Sequence, residues 1–247
     1  MTTTDVKASR RTLSLLEAFS THRRPLSLTE LATEIGAPKT SCFELLQTLK
    51  AHGYLYALGR RQGFYPTRRL LDHARVIAEN DPVLRRMEPI LKALRDTTGE
   101  TIILGQRQGD EIVYLDVMEG PHSIRYSARA GDHKPLHSSA IGKAFLGKID
   151  DTNLDSMLEN LVLQQITPNT IVEIAHLRSE IVAGREMGYF VTQGENVTDV
   201  SAIATIVHIH GEPFGVAIAG PSHRMDPVLN DVAQKLLMTK SIEETTP

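Results

Sequence analysis

The stretch Ser27-Leu28-Thr29-Glu30-Leu31-Ala32-Thr33-Glu34-Ile35-Gly36-Ala37-Pro38-Lys39-Thr40-Ser41-Cys42-Phe43-Glu44-Leu45-Leu46-Gln47-Thr48-Leu49 decides the fold. Ser27 with Glu30 three residues on forms a capping box, each side chain satisfying a backbone N–H that a first helical turn leaves unpaired. Gly36 and Pro38 stop that helix, and a second apolar period begins at once, so the stretch reads helix, tight turn, helix. Leu28, Leu31, Ala32 and Ile35 share one side of the first helix; Cys42, Leu45, Leu46 and Leu49 share one side of the next. At about 100° per residue the opposite side of the second helix carries Thr40, Glu44 and Gln47, with Phe43 at its edge. A polar outward face on the second helix of such a pair suits the DNA major groove.

Working outward, Arg10 to Phe19 places apolar residues at 13, 15, 16 and 19, a helical stripe that completes a three-helix core. Downstream, residues 54–58 and 64–66 read as two strands joined by Gly59-Arg60-Arg61-Gln62-Gly63, a small hairpin with a basic tip that can reach phosphate or a narrow minor groove. Residues 67–80 return to helical spacing through Leu70, Leu71, Ala74, Ile77 and Ala78, and Asp81-Pro82 starts another helix. Pro89 within that helix implies a kink or a late start. The expected division is 1–66 for a winged helix-turn-helix domain, 67–81 for a linker helix and candidate dimer seam, and 82–247 for a second domain.

From Glu100 the period changes to strands: 101–107, 111–118 and 124–128, then 190–192, 202–210 and 214–219, the last two forming a hairpin about Gly211-Glu212-Pro213. Between them lie a loop running into a helix over Pro135–Leu146, a helical span near 151–158, and a helix from Thr170, capped by Glu173, to Gly188. A terminal helix is expected from Asp226-Pro227, with a disordered tail over 243–247. Hairpins rather than βαβ crossovers indicate an α+β antiparallel sheet.

Charge divides the chain in the same place. Residues 1–75 hold 12 Lys+Arg against 6 Asp+Glu, about +6, while the remainder holds 15 against 24, −9. A basic head on an acidic body is the layout expected if only the head meets a polyanion. No apolar run approaches the roughly 18 residues of a membrane span, and no signal pattern opens the chain. The single cysteine, Cys42, allows no intrachain disulfide, so a cytoplasmic location without membrane contact is expected.

Catalytic signatures are missing one by one. Cys42 lies on the apolar side of its helix without a base. Gly142-Lys143 is no phosphate loop, because His137 occupies the first glycine position and Ala144 follows the lysine. His208 and His210 alternate on one strand and could chelate a metal, but no third ligand is close in sequence. His137 and Ser139 lack an acid partner, which leaves a hydrolase or transferase as the alternative reading only. No catalytic residue, metal or cofactor is therefore expected. What remains is a binding pocket. The loop-to-helix start Ser138-Ser139-Ala140-Ile141-Gly142 offers unpaired N–H groups suited to a carboxylate, and small strand residues Ala202, Ala217 and Ala219 leave room for an apolar group.

These residues resemble the IclR family of bacterial transcriptional regulators, and the resemblance spans nearly the whole chain. It rests on Pro38-Lys39-Thr40-Ser41, Leu45-Leu46-Gln47-Thr48-Leu49 and Gly53-Tyr54. In the second half it rests on Thr98-Gly99-Glu100-Thr101, Gly131, Pro135–Ala144, Gly188-Tyr189 and Gly220-Pro221-Ser222-His223-Arg224, in that order. It implies a winged helix-turn-helix domain, a linker helix and a GAF-like domain that binds a small metabolite, with dimers or tetramers on pseudo-palindromic operators. By position, it implies effector contacts at Ala140, Ile141, Thr192, Val200, Ala202, Ala217 and Ala219; Arg125, Tyr126, His137, Ser138 and Ser139 complete the candidate set. Relatives carry a cysteine or serines where this sequence has Ala202, Ala217 and Ala219, and an acid at Thr192, so an aromatic or hydrophobic acid fits better here than a small keto acid. For the operator, Arg10, Arg11, Lys39, Arg60, Arg61, Arg68 and Arg69 are expected on the backbone and Thr40, Glu44 and Gln47 on base edges, with Ser27, Ser41 and Phe43 in the same interface. Glu44 stands where many relatives have arginine, and a carboxylate can accept from a cytosine amino group.

Overall fold

The computed structural model describes residues 6–59 and 62–239, and these divide into two compact units, Met1–Asp81 and Pro82–Pro247. The first unit contains α1 (Lys7–His22), α2 (Leu28–Glu34), α3 (Lys39–Ala51), β1 (Leu55–Ala57), β2 (Phe64–Pro66) and α4 (Arg69–Glu79). Leu15, Phe19, Leu26, Leu31, Ile35, Cys42, Leu46 and Leu55 form its core. Leu13, expected on the buried stripe of α1, is instead 61% exposed, because Leu15, Ala18 and Phe19 already fill the inner face. The Ser27–Glu30 capping box is present in both directions. Leu26 extends the hairpin by one bridge, its N–H and C=O pairing with Phe64. Gly63 permits this approach: at φ 84° it takes a left-handed conformation, and a Cβ there would lie 2.3 Å from Leu26 O.

The second unit is built on a six-stranded antiparallel sheet. Its elements are α5 (Pro82–Thr98), β3 (Thr101–Gln108), β4 (Glu111–Met118), β5 (His133–Pro135), α6 (Ala140–Leu146), α7 (Asp151–Asn160), α8 (Ile174–Met187), β6 (Phe190–Gln193), β7 (Val200–Ile209), β8 (Glu212–Pro221), α9 (Ser222–Met225), a 3-10 turn (Asp226–Val228) and α10 (Leu229–Leu237). The strand order is β5-β4-β3-β8-β7-β6. Alternation sends the bulky residues Ile102, Leu104, Ile203, Val207, Val216 and Ile218 to the face covered by α5 and α10. The opposite face receives Ile103, Ala204, Ala217 and Ala219 and packs against α6, α7 and α8. The alanines of β7 and β8, Ala202, Ala204, Ala217 and Ala219, all fall on that second face, and this is what leaves space there.

Several expectations are corrected. Residues 124–128 form no strand: the carbonyl of Tyr126 accepts from Thr101 Oγ1 at 2.6 Å and that of Ile124 from Arg224 at 3.0 Å, so side chains take the place of a ladder. The strand beside β4 is β5, in what was expected to be loop. Helix α8 begins at Ile174 rather than Thr170, whose hydroxyl instead donates to Glu195 O at 2.6 Å. Helix α5 runs through Pro89 without a late start, Met87, Leu91 and Leu94 anchoring it on both sides of the proline. The β7–β8 turn is His210-Gly211, both at positive φ (52° and 82°) as a two-residue hairpin requires, and Pro213 is already within β8. His210 therefore sits in the turn and shares no strand face with His208, and the described residues contain no cluster of His, Cys, Asp or Glu that could hold a metal. The chain turns helical again at Ser222, earlier than Asp226. Among the described residues, no helix is long and apolar enough to cross a membrane. The tail over 243–247 lies outside the described residues.

Candidate functional site

Helix α3 buries Cys42 and Leu46 and turns Thr40, Phe43, Glu44 and Gln47 outward, all exposed. Its start differs from that of α2. Pro38 has no side chain to cap it and the first turn holds no acid, so the N–H groups at the positive end of the helix dipole remain available to an anion. Lys39 stands exposed at this end, where a cation gains nothing from the dipole. On α2 the same positions are internally satisfied: Ser27 Oγ donates to Glu30 at 2.7 Å, and Arg24 reaches the same carboxylate at 2.8 Å. Arg24 and Ser27 together hold the Glu30 carboxyl down at about 2. Ser27 is thus occupied as a cap, and Ser41 is half-buried. Arg10 and Arg68 are exposed and Arg11 is half-buried, while the Arg69 guanidinium lies over the Tyr54 ring at 5.2 Å. Arg60 and Arg61 lie outside the described residues.

In the second unit a partly open cavity of about 30 Å³ lies between α6 and the small-residue face of the sheet. Its wall brings together Tyr126, Ser139, Ala140, Ile141, Thr192, Val200, Ala202, Ala217 and Ala219 of the sequence candidates, and adds Ile103, Tyr114, Asn196 and Val197. The close seating of α6 depends on glycines: a Cβ on Gly142 would lie 2.2 Å from Leu136 O, and one on Gly215 would lie 2.3 Å from Ile141. Ser139 caps α6 by accepting from Gly142 N–H at 3.1 Å and donates to Pro135 O at 2.7 Å. The N–H groups of Ala140 and Ile141 have no partner among the described residues. No charged side chain lines the wall. Burial, with Tyr126 adjacent, pushes the Tyr114 phenol far up, so it stays protonated and can donate.

Three candidates stand apart from this wall. Arg125 is drawn into an ion pair with Glu119 at 2.6 Å. Ser138 is buried and accepts from Asn196 Nδ2 at 3.1 Å. His137 is 1% exposed, its Nε2 paired with Gln164 O at 2.9 Å; burial lowers its pKa, which keeps the ring neutral. Since the Ser139 hydroxyl proton goes to Pro135 O and the His137 ring bonds Gln164 O, the two do not assemble into a nucleophile and base. Glu100 and Arg224 make a two-pronged ion pair at 2.6 and 2.8 Å that joins the end of β8 to the start of β3. Thr101 then fixes the loop that presents Tyr126.

A helix pair whose second helix turns a polar face outward, a hairpin after it, and a sheet domain of its own are the parts of a DNA-binding transcriptional regulator. The family profile described as "IclR helix-turn-helix domain" matches residues 9–59, and the one described as "Bacterial transcriptional regulator IclR C-terminal" matches residues 76–240. The chain belongs to the IclR family of bacterial transcriptional regulators. It is 28% identical to the transcriptional repressor IclR of Escherichia coli (strain K12), over 90% of this chain and 83% of that protein. Among solved structures, a transcriptional regulator from Rhodococcus sp. RHA1 aligns with a TM-score of 0.80 at 23% identity, covering 97% of this chain and 98% of the other. An IclR homologue from Microbacterium hydrocarbonoxydans, complexed with 4-hydroxybenzoate, aligns with a TM-score of 0.72 at 17% identity, covering 95% and 99%.

Proposed function

We propose that this regulator reads a pseudo-palindromic operator as a homodimer or dimer of dimers, and that a small aromatic or hydrophobic carboxylic acid from a catabolic pathway controls it by entering the α6 cavity. Residues 1–66 are the DNA-binding domain, 67–81 the linker helix and 82–247 the effector and oligomerisation domain. Thr40, Glu44 and Gln47 meet base edges and Lys39, Arg10, Arg11 and Arg68 meet phosphates. Exposed Leu71, Val76 and Ile77 on α4 supply apolar surface for self-association.

The observation that carries the effector class is the wall itself. Ala202, Ala217, Ala219, Ile103 and Val197 favour an apolar body, while unpaired N–H groups and the neutral hydroxyls of Tyr114, Tyr126 and Thr192 can hold one carboxylate. A diacid would bury a second charge with no cation to meet it. The 4-hydroxybenzoate complex of the Microbacterium homologue supports the same class. The cavity's 30 Å³ accommodates on the order of two waters, so admission of a ring requires the wall to open.

The test is thermal unfolding of the purified protein against a panel of monocarboxylic acids. A true effector at about a hundredfold excess over Kd stabilises by about 2.7 kcal/mol, a Tm rise on the order of 5–10 °C for a unit of this size. If short dicarboxylates gave the largest rise and aromatic acids none, the assigned class would be wrong.

A further inference from the structure

Lys143 is the largest charged side chain withdrawn from water in the second unit, 1% exposed, and nothing in the cavity wall uses it. Its ammonium donates to Glu195 Oε1 at 2.7 Å, to Val191 O at 3.2 Å and to Glu180 Oε2 at 3.4 Å. Glu180 belongs to α8, away from the cavity, but the other two acceptors each stand one residue from a wall residue. Lys143 itself lies on α6, which contributes Ala140 and Ile141. Val191 precedes Thr192 on the edge strand β6, and Glu195 precedes Asn196 and Val197. One buried ammonium therefore ties together three of the segments that line the cavity.

The segment 194–199 is the one of these three that belongs to no helix or strand. It is bounded by left-handed residues, Gly194 at φ 70° and Asp199 at φ 61°, a backbone state that costs a non-glycine residue and marks a segment held by its surroundings. Thr167 and Thr170 hold its near end through the carbonyls of Gly194 and Glu195, both at 2.6 Å. Glu195 is 5% exposed and its second oxygen, Oε2, has no partner. Burial raises its pKa even beside the Lys143 ammonium. Such a pair is poor as a stabilising device, since two charges are desolvated and one acceptor is left unsatisfied.

We infer that the buried Lys143–Glu195 pair is a latch that holds the 194–199 strap over the cavity, which makes Lys143 and Glu195 positioning residues for the effector although neither touches it. This rests on the cavity being the effector site. The directional bonds to Val191 and Glu195 set where Asn196 and Val197 stand, and opening for a ring-sized acid proceeds by yielding of this strap.

The experiment uses the full chain carrying Glu195→Gln, Lys143→Met, or both Lys143→Met and Glu195→Met, with hydrogen exchange, thermal unfolding and 4-hydroxybenzoate titration on each. The single variants are expected to speed exchange of the 195–198 amides at least about tenfold without change in β7 and β8, and to weaken the acid about tenfold. The double variant, which buries no charge, should recover the unfolding temperature but neither strap protection nor affinity. Recovery of all three together would make the pair an ordinary structural brace and overturn the inference, as would unchanged 195–198 exchange in the single variants. Absence of binding of any acid by the unmutated protein is a separate failure: it removes the cavity reading and the positioning role with it, whatever the exchange pattern.

Discussion

The N-terminal end of α3 and the cavity beneath α6 are both places where backbone N–H groups are left without internal partners, and they are built in opposite ways. On α3 the groups stand in water beside an exposed lysine, and the side chains proposed to read bases, Thr40, Glu44 and Gln47, are all exposed. Beneath α6 they open on a wall of alanine, valine, isoleucine and neutral hydroxyls. Charge acts over a Debye length in water and is screened by salt, whereas a narrow apolar cavity discriminates through volume and unpaired polar groups. Recognition by α3 should therefore be salt-dependent and tolerant of shape, and recognition in the cavity the reverse.

The sharpest way to break that contrast is Ala219→Leu. It adds three carbons where about 30 Å³ is free, and the acid-induced Tm rise should vanish while intrinsic stability drops by no more than about 1–3 kcal/mol. Next, Gln47→Ala should cost roughly 1–3 kcal/mol at one base pair and leave random duplexes untouched; equal loss on selected and random DNA in a gel-shift series would remove Gln47 from the base-reading set. Glu44→Ala should act similarly, relaxing a cytosine preference. Lys39→Ala should weaken all sequences alike and lower the slope of log K against log salt by about one.

The smallest effect concerns the cap of α2. Glu30 has its carboxyl lowered from 4.5 to about 2. A depressed acid contributes stability that is complete above its unfolded pKa and is lost as the proton returns, here as pH falls from 4.5 toward 2. Glu30→Gln should therefore flatten the Tm–pH curve in that window and scarcely alter it at neutral pH.

Local chemistry was legible where it acts within a few residues. The Ser27–Glu30 box, the left-handed stop at Gly188 and the alternation that gathers Ala202, Ala217 and Ala219 on one face all follow from short-range rules. The misses come from long-range partners. Residues 124–128 look like a strand until Thr101 and Arg224 claim their carbonyls, and Thr170 looks like a cap until the 194–199 strap accepts its hydroxyl. Arg125 was diverted by Glu119 for the same reason. Ile103 and Tyr114 could have been found from the two-residue period of β3 and β4, which places them on the face shared with Ala217 and Ala219. Nothing local distinguishes Asn196 and Val197, whose position depends on contacts with Ser138 before α6 and with the 167–170 loop.

The central claim is that the cavity controls the reading helix, and operator affinity measured with and without acid tests it most directly. Using duplexes selected on the purified protein and a 4-hydroxybenzoate titration, the account predicts a change of about 5–150-fold in operator affinity that is absent in Ala219→Leu. An acid that stabilises the protein yet leaves operator affinity unchanged, or that acts equally on Ala219→Leu, would contradict it.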